Sequence, residues 1–179
     1  QWEKADVVVM YSNNPGWKAE RAKDLDAFLE RGGGLVLIHW AVNGGDAADE
    51  YAARVGLASG KGAKYRHGPQ TLDFGGSKHP IARNFDKLEL MDESYWDMTG
   101  DPGKVDVLAT GDEEGKPRPL LWTREQGKGR VFGCIPGHFT WTFDDPLYRI
   151  LLLRGIAWSA GESVDRFNEL ATIGARTGD

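Results

Sequence analysis

"ADVVVMYSNNPGWKAERAKDLDAFLERGGGLVLIHWA", residues 5–41, is the stretch on which the fold turns. Val7 to Tyr11 make a short apolar run, the pattern of a parallel strand covered on both faces. Ala22, Leu25, Phe28 and Leu29 then recur at helical spacing, and Gly32 to Gly34 stop the helix. Leu35 to Ile38 form a second apolar strand that ends at His39. "GGDAADEYAARVGL" (44–57) predicts a further helix, with Asp46 as its N-cap and Ala48, Tyr51, Ala52 and Val55 on one face. Strand–helix–strand–helix order points to a βαβ unit and a parallel sheet.

The middle of the chain changes character. "KYRHGPQTLDFGG" (64–76), "FDKLELMDESYW" (85–96), "VDVLATG" (105–111) and "PLLWTREQ" (119–126) read as strands joined by turns, some of them antiparallel. "GRVFGCIPG" (129–137) predicts a central strand. "DDPLYRILLLRGIAWSAG" (144–161) predicts the strongest helix, capped by Asp144 or Asp145, with Pro146 in its first turn and Gly161 past its end. It is apolar nearly all round, so it is expected between other elements. A short tail, Glu162 to Asp179, closes the chain. No repeat or linker interrupts the pattern, so residues 1–179 are expected to form one α/β domain.

Composition narrows the function. With 179 residues and 40% apolar content, the chain can bury a sizeable core. The net charge is −5 and the basic residues are scattered, so no basic stripe offers a nucleic-acid surface. No apolar run reaches membrane-spanning length, and no signal peptide stands at the start. A soluble protein is expected, either cytoplasmic or periplasmic/secreted. One cysteine excludes both an internal disulfide framework and a cysteine-based zinc site.

In open α/β sheets, ligands bind beyond the carboxyl ends of the strands. His39 and His138 stand at two such ends, and Asp92 and Glu93 follow the strand "KLEL". Cys134 lies inside its strand among apolar neighbours, which predicts an inert thiol. His138 is followed by Phe139, Trp141 and Phe143, and aromatic walls beside polar groups suit a sugar ring. Glu93, flanked by Met91, Tyr95 and Trp96, is the expected base, with Asp92 the lesser candidate. His67 reads as either an outer-rim group of the site or an exposed side chain. His79, before Pro80, reads as structural. Two histidines plus a carboxylate suit a divalent metal such as zinc or manganese. No phosphate loop, dinucleotide fingerprint or serine elbow occurs, so no nucleotide cofactor is expected.

"GGGLVLIHWA", "SKHPIARNF", "MDESYW" and above all "GKGRVFGCIPGHFTWTFDDPLYRILLLRGIAWSAG" (127–161) resemble the trehalose-utilisation (ThuA-like) family, from Ala5 to about Gly161. The resemblance implies a class I glutamine amidotransferase-like, flavodoxin-like three-layer sandwich. Its sheet would be mostly parallel, with additional antiparallel strands. It also implies that a first strand–helix unit, usual in the family, is lacking here. In those amidotransferases the strand-to-helix elbow presents a nucleophilic cysteine; here His39 stands about there, so glutamine hydrolysis is not expected. The family is associated with disaccharides and glycosides, including sugars oxidised to a 3-keto form.

Residues and resemblance together assign His39, Glu93 and His138 to catalysis or metal binding. Trp40, Tyr95, Trp96, Trp141 and His67 are assigned to a small-molecule carbohydrate. The expected chemistry is isomerisation of a keto-sugar, or elimination or hydrolysis of a 3-keto-glycoside. The alternative is a non-catalytic carbohydrate-binding or interaction module on the same fold. Self-association as a homo-oligomer is left open.

Overall fold

The computed structural model describes residues 2–174. Gln1 and the last five residues of the closing tail lie outside the described residues. In chain order the elements are β1 (Val7–Tyr11), α1 (Ala22–Glu30), β2 (Gly34–Ile38), α2 (Ala48–Val55) and β3 (Leu57–Ala58). β4 (Lys64–Asp73), β5 (Lys87–Trp96), β6 (Thr99–Gly100), β7 (Asp106–Glu113), β8 (Lys116–Gln126), β9 (Gly129–Cys134) and α3 (Pro146–Ser159) follow, with short 3-10 turns between them. Seven strands form one sheet in the order β1-β2-β9-β8-β7-β4-β5, and β3 pairs with β6 in a separate two-stranded piece.

The expected α/β sandwich is present. α3 lies on one face of the sheet, where Gly155 packs directly on Phe132 and Gly34 on Ser159. α1 and α2 cover the other face, with Leu29 against Gly129 and the Val55 carbonyl accepting from the Trp122 indole N–H at 2.9 Å. Phe132 and Gly133 are neighbours on one strand and so point to opposite layers. The parallel part is smaller than "mostly parallel" implies: β1, β2 and β9 run parallel, whereas every pair from β9 through β8, β7 and β4 to β5 is antiparallel. The reason lies in the connections. A parallel return usually needs a helical crossover, and residues 64–134 hold only turns and short 3-10 segments between their strands.

The helix ends follow local chemistry. Asp145 caps α3, accepting from the amides of Leu147 at 2.8 Å and Tyr148 at 3.1 Å, with Pro146 in the first turn. Asp46 does not cap α2. It sits in a 3-10 turn, Gly45–Ala47, and Ala47 takes the cap position without a side-chain bond. α3 is covered by the sheet on one side and by the closing segment on the other, where Arg149 donates to the Ala171 carbonyl at 3.2 Å.

One departure from a flat sheet positions the site. β4 meets β7 at a single register pair, Asp73 with Thr110, while β4 and β5 pair along their whole length. The β4–β5 hairpin therefore leaves the plane of the sheet. It returns across the carboxyl ends of β2 and β9, so that β5 stands beside the segment after β9. Among the described residues, no helix is long and apolar enough to cross a membrane.

Candidate functional site

His39 is the first residue after β2 and holds a left-handed backbone, φ 56°. A side chain in that conformation is uncommon, and strain of this kind concentrates where a group must be aimed. β2 runs parallel to β9 with Ile38 opposite Cys134, so His39 falls beside Ile135. Its Nδ1 lies 3.0 Å from the Ile135 carbonyl oxygen. A carbonyl only accepts, so Nδ1 donates to it and Nε2 is aimed into the site.

Three groups meet Nε2. His138 Nδ1 is 3.1 Å away, Glu93 Oε2 is 3.2 Å away and the Tyr95 hydroxyl is 2.9 Å away. Glu93 Oε2 also lies 3.0 Å from His138 Nδ1 and accepts from the Tyr95 hydroxyl at 2.7 Å. Its other oxygen, Oε1, is 3.1 Å from His67 Nε2. His67 and Glu93 are directly opposite in the β4–β5 register, as are Tyr65 and Tyr95. Cross-strand partners share a face, so these four side chains project together.

Glu93 is only 6% exposed. Burial alone raises its pKa, but the hydrogen bonds from His39 and Tyr95 and the charges of His39 and His138 outweigh that and leave it below the ordinary value. The Tyr95 phenol is pushed the other way, by burial first and then by its bond to Glu93, so it remains a proton donor. The cluster forms the floor of a cavity of about 800 Å³, lined also by Tyr11, Ser12, Asn13, Trp40 and Tyr65. That volume falls within the range of about 300–1,000 Å³ usual for small-molecule sites. No lysine or arginine is among its described lining residues.

The donor set fits a divalent cation. One ligand atom from each of His39, Glu93 and His138 can be chosen so that all lie within 4.8 Å of one another. A tetrahedral zinc with ligands about 2.0–2.2 Å away spaces them about 3.3–3.6 Å apart. The three contacts of 3.0–3.2 Å need to open by only a few tenths of an ångström to match.

The structure thus brings His39, Glu93, His138, Tyr95, Trp40 and His67 together. It does not bring Trp96 or Trp141 into the cavity. Trp96 follows Tyr95 on a strand and so points to the opposite face, into a separate cleft with Leu57, Met98 and Arg118. Trp141 stands outside, half exposed, with its indole N–H donating to the Met91 carbonyl at 2.8 Å and its ring stacked on Phe139 at 4.2 Å. Asp92 and Glu93 lie within β5 rather than after it, because pairing with β4 carries the strand on to Trp96. Asp92 turns away from the cavity. Sequence reading missed Tyr11, Ser12, Asn13 and Tyr65 as lining residues; the one local signal was that Tyr11 ends a parallel strand and Ser12 and Asn13 follow it.

Cys134 is fully buried beside the Tyr148 hydroxyl, 3.6 Å away, and burial pushes its thiol up to about 12. His79 Nδ1 accepts from the Ile81 amide at 3.3 Å, and its ring meets Trp158 edge-on, well inside a structural role.

Comparison with known proteins agrees with this architecture. The model of the ThuA family, described as trehalose utilisation, matches residues 1–159. A ThuA-like protein from Parabacteroides merdae ATCC 43184 is 24% identical with a TM-score of 0.75, over 91% of this chain and 73% of that one. A ThuA-like protein from Bacteroides uniformis ATCC 8492 is 18% identical with a TM-score of 0.67, over 91% and 75%. A β-galactosidase from Bacillus circulans sp. alkalophilus shares the fold more loosely, at 15% identity and a TM-score of 0.55, over 75% of this chain and 20% of that one. No curated protein matches significantly. A family match over this much of the chain makes the assignment: the protein belongs to the ThuA, or trehalose-utilisation, family.

Proposed function

We propose that this chain is a sugar-active enzyme whose substrate is a neutral glycoside or keto-sugar. The reaction is isomerisation of a keto-sugar, or elimination or hydrolysis of a 3-keto-glycoside. The observation that carries the reading is the convergence of His39, His138 and buried Glu93 on the floor of one aromatic-walled cavity. Family membership supports a carbohydrate-related role in general. Tyr11, Trp40 and Tyr65 supply apolar faces for sugar rings, and Ser12 and Asn13 supply hydrogen-bonding partners for hydroxyls. A cavity wall without lysine or arginine, above an ionised carboxylate, disfavours phosphorylated or acidic sugars.

His39 Nε2, His138 Nδ1 and Glu93 Oε2 are the atoms that would hold zinc or manganese. When bound, the ion supplies Lewis-acid polarisation of a substrate carbonyl. Glu93 Oε1 faces His67 instead of that set, and in this reading it is the base that takes a proton from the carbon beside the carbonyl. Return of the proton to the former carbonyl carbon, with the adjacent hydroxyl proton passing to the former carbonyl oxygen, completes an isomerisation. Loss of the glycosidic oxygen one carbon further on, with the proton held by Glu93 delivered to it, completes an elimination. Tyr95 holds Glu93 Oε2 by donating to it, which keeps the carboxylate ionised before the transfer.

Deuterium exchange is the direct test. A 3-keto-glycoside incubated in heavy water with protein and zinc or manganese is expected to gain deuterium at the carbon beside its carbonyl. Glu93→Gln should slow this by about 10²–10⁴-fold. Binding of the sugar with neither exchange nor product, under either metal, overturns the enzymatic reading and leaves a carbohydrate-binding module.

A further inference from the structure

We propose that Asp92 is a positioning residue that sets His138 against Glu93; this rests on the His39–Glu93–His138 reading of the site. Asp92 is completely buried and lies on the face of β5 opposite Glu93, so its carboxylate never meets the cavity. A buried carboxylate is tolerated only where donors replace its water. Here four do. Oδ1 accepts from the His138 amide at 2.9 Å and from the Glu93 amide at 2.6 Å. Oδ2 accepts from the Gly137 amide at 3.1 Å and from the Thr142 hydroxyl.

These donors come from two elements that are distant in sequence. Glu93 belongs to β5, and Gly137, His138 and Thr142 belong to the segment between β9 and α3. One carboxylate therefore ties the strand that carries Glu93 to the loop that carries His138. Gly137 makes the grip possible. Its φ of 132° is left to glycine, and a Cβ there would stand 3.0 Å from Ile38 and 3.1 Å from the Tyr148 hydroxyl. In that conformation the consecutive amides of Gly137 and His138 both face Asp92. The His138 ring is then carried over Glu93 Oε2, 3.0 Å away.

Charge and acceptor count both matter to this role. Asparagine keeps the shape but replaces one acceptor oxygen with a donor. The Thr142 hydroxyl can reverse to accept from it, whereas the Gly137 amide cannot. Asp92→Asn is therefore expected to release the Gly137–His138 turn while leaving His39 and Tyr95 in place.

The experiment measures zinc affinity and the ring resonances of His138 in histidine-labelled full-length protein. Asp92→Asn should weaken zinc binding by about 10–100-fold, the usual cost of losing a partner behind a ligand, and should move the His138 ring signals while those of His79 stay put. Thr142→Val removes one of the four donors and should shift both readouts in the same direction by a smaller factor, which keeps the test open if the Asp92 variant fails to fold. Val55→Ala, a core truncation in α2, should lower stability and change neither. If the wild-type chain binds no zinc, the metal reading falls, and the ring resonances alone still decide the positioning role. His138 signals unmoved in both variants, with any zinc affinity within twofold of wild type, overturn it.

Discussion

His39 Nε2 and His138 Nδ1 stand 3.1 Å apart although 99 residues separate them in the chain. Parallel pairing of β2 with β9 produces this meeting, because adjacent parallel strands end on the same rim. Glu93 reaches the pair from a different direction, along the hairpin that curls back over that rim.

The first prediction concerns the ion. His39→Asn, His138→Ala and Glu93→Gln should each reduce zinc affinity more than about 100-fold, a larger loss than removal of a second-layer partner causes. Asparagine is chosen at position 39 because it accepts the left-handed backbone there. Calorimetric titration of the metal-free proteins checks this. An unchanged affinity in any one of the three removes that residue from the ligand set.

The second concerns substrate charge. Tryptophan fluorescence should respond to a neutral keto-glycoside, because Trp40 lines the cavity. The phosphate ester of the same sugar should bind at least about tenfold more weakly, since each 1.4 kcal/mol of unreplaced hydration or repulsion is a factor of ten. Trp40→Ala should weaken the neutral sugar by about 0.5–1.5 kcal/mol. Tight binding of the phosphate ester would mean that the cavity's lack of basic residues does not set selectivity.

The third concerns Cys134. With its thiol pushed up to about 12 by burial, almost none is thiolate at pH 8. Iodoacetamide should leave the folded protein unlabelled at pH 8 and modify it in urea, as read by mass spectrometry. Cys134→Ser should leave the deuterium exchange proposed above within a few-fold of wild type. Rapid labelling of the folded chain would contradict the burial.

The fourth is a pH effect. Glu93 titrates below its ordinary value of 4.5 in the folded state. A depressed carboxyl adds stability above the unfolded pKa, and that stability is lost as pH falls through the folded value. Urea unfolding of metal-free wild type and Glu93→Gln should therefore differ most at neutral pH and converge as the pH drops below 4.5. A gap that widens toward acid would reverse the sign and refute the depressed pKa.

The fifth tests the layer contact that seats α3. A Cβ on Gly155 would fall 2.3 Å from the Phe132 ring. Gly155→Ala favours the helix intrinsically, yet it should destabilise the protein by about 1–3 kcal/mol through overpacking. A lower urea midpoint with an unchanged slope is the expected result.

Much of this molecule was legible in one dimension. Leu25, Phe28 and Leu29 marked the buried stripe of α1, and Asp144 or Asp145 with Pro146 marked the start of α3, because helical period and cap chemistry are local. Cys134 was recognisable as filling because its strand is apolar on both faces. His39 and His138 were recognisable as rim residues by their positions after parallel strands. The structure places the assigned aromatics in different surroundings. Trp40 and Tyr95 reach the cavity, but Trp96 and Trp141 do not. A neighbouring aromatic on a strand points the other way, and an aromatic on a loop goes wherever its hydrogen bond takes it.

The sequence by itself determined the elements, their apolar faces, the inert cysteine and the two strand-end histidines, because each depends on residues within a few positions of one another. Tertiary structure alone decided that β4 would leave the sheet after a single pair with β7. That curl sends Glu93 into the cavity and Asp92 out of it, under the His138 turn. The physical reason is period two along β5: adjacent carboxylates take opposite faces, and only the path of the hairpin says which face meets the histidines.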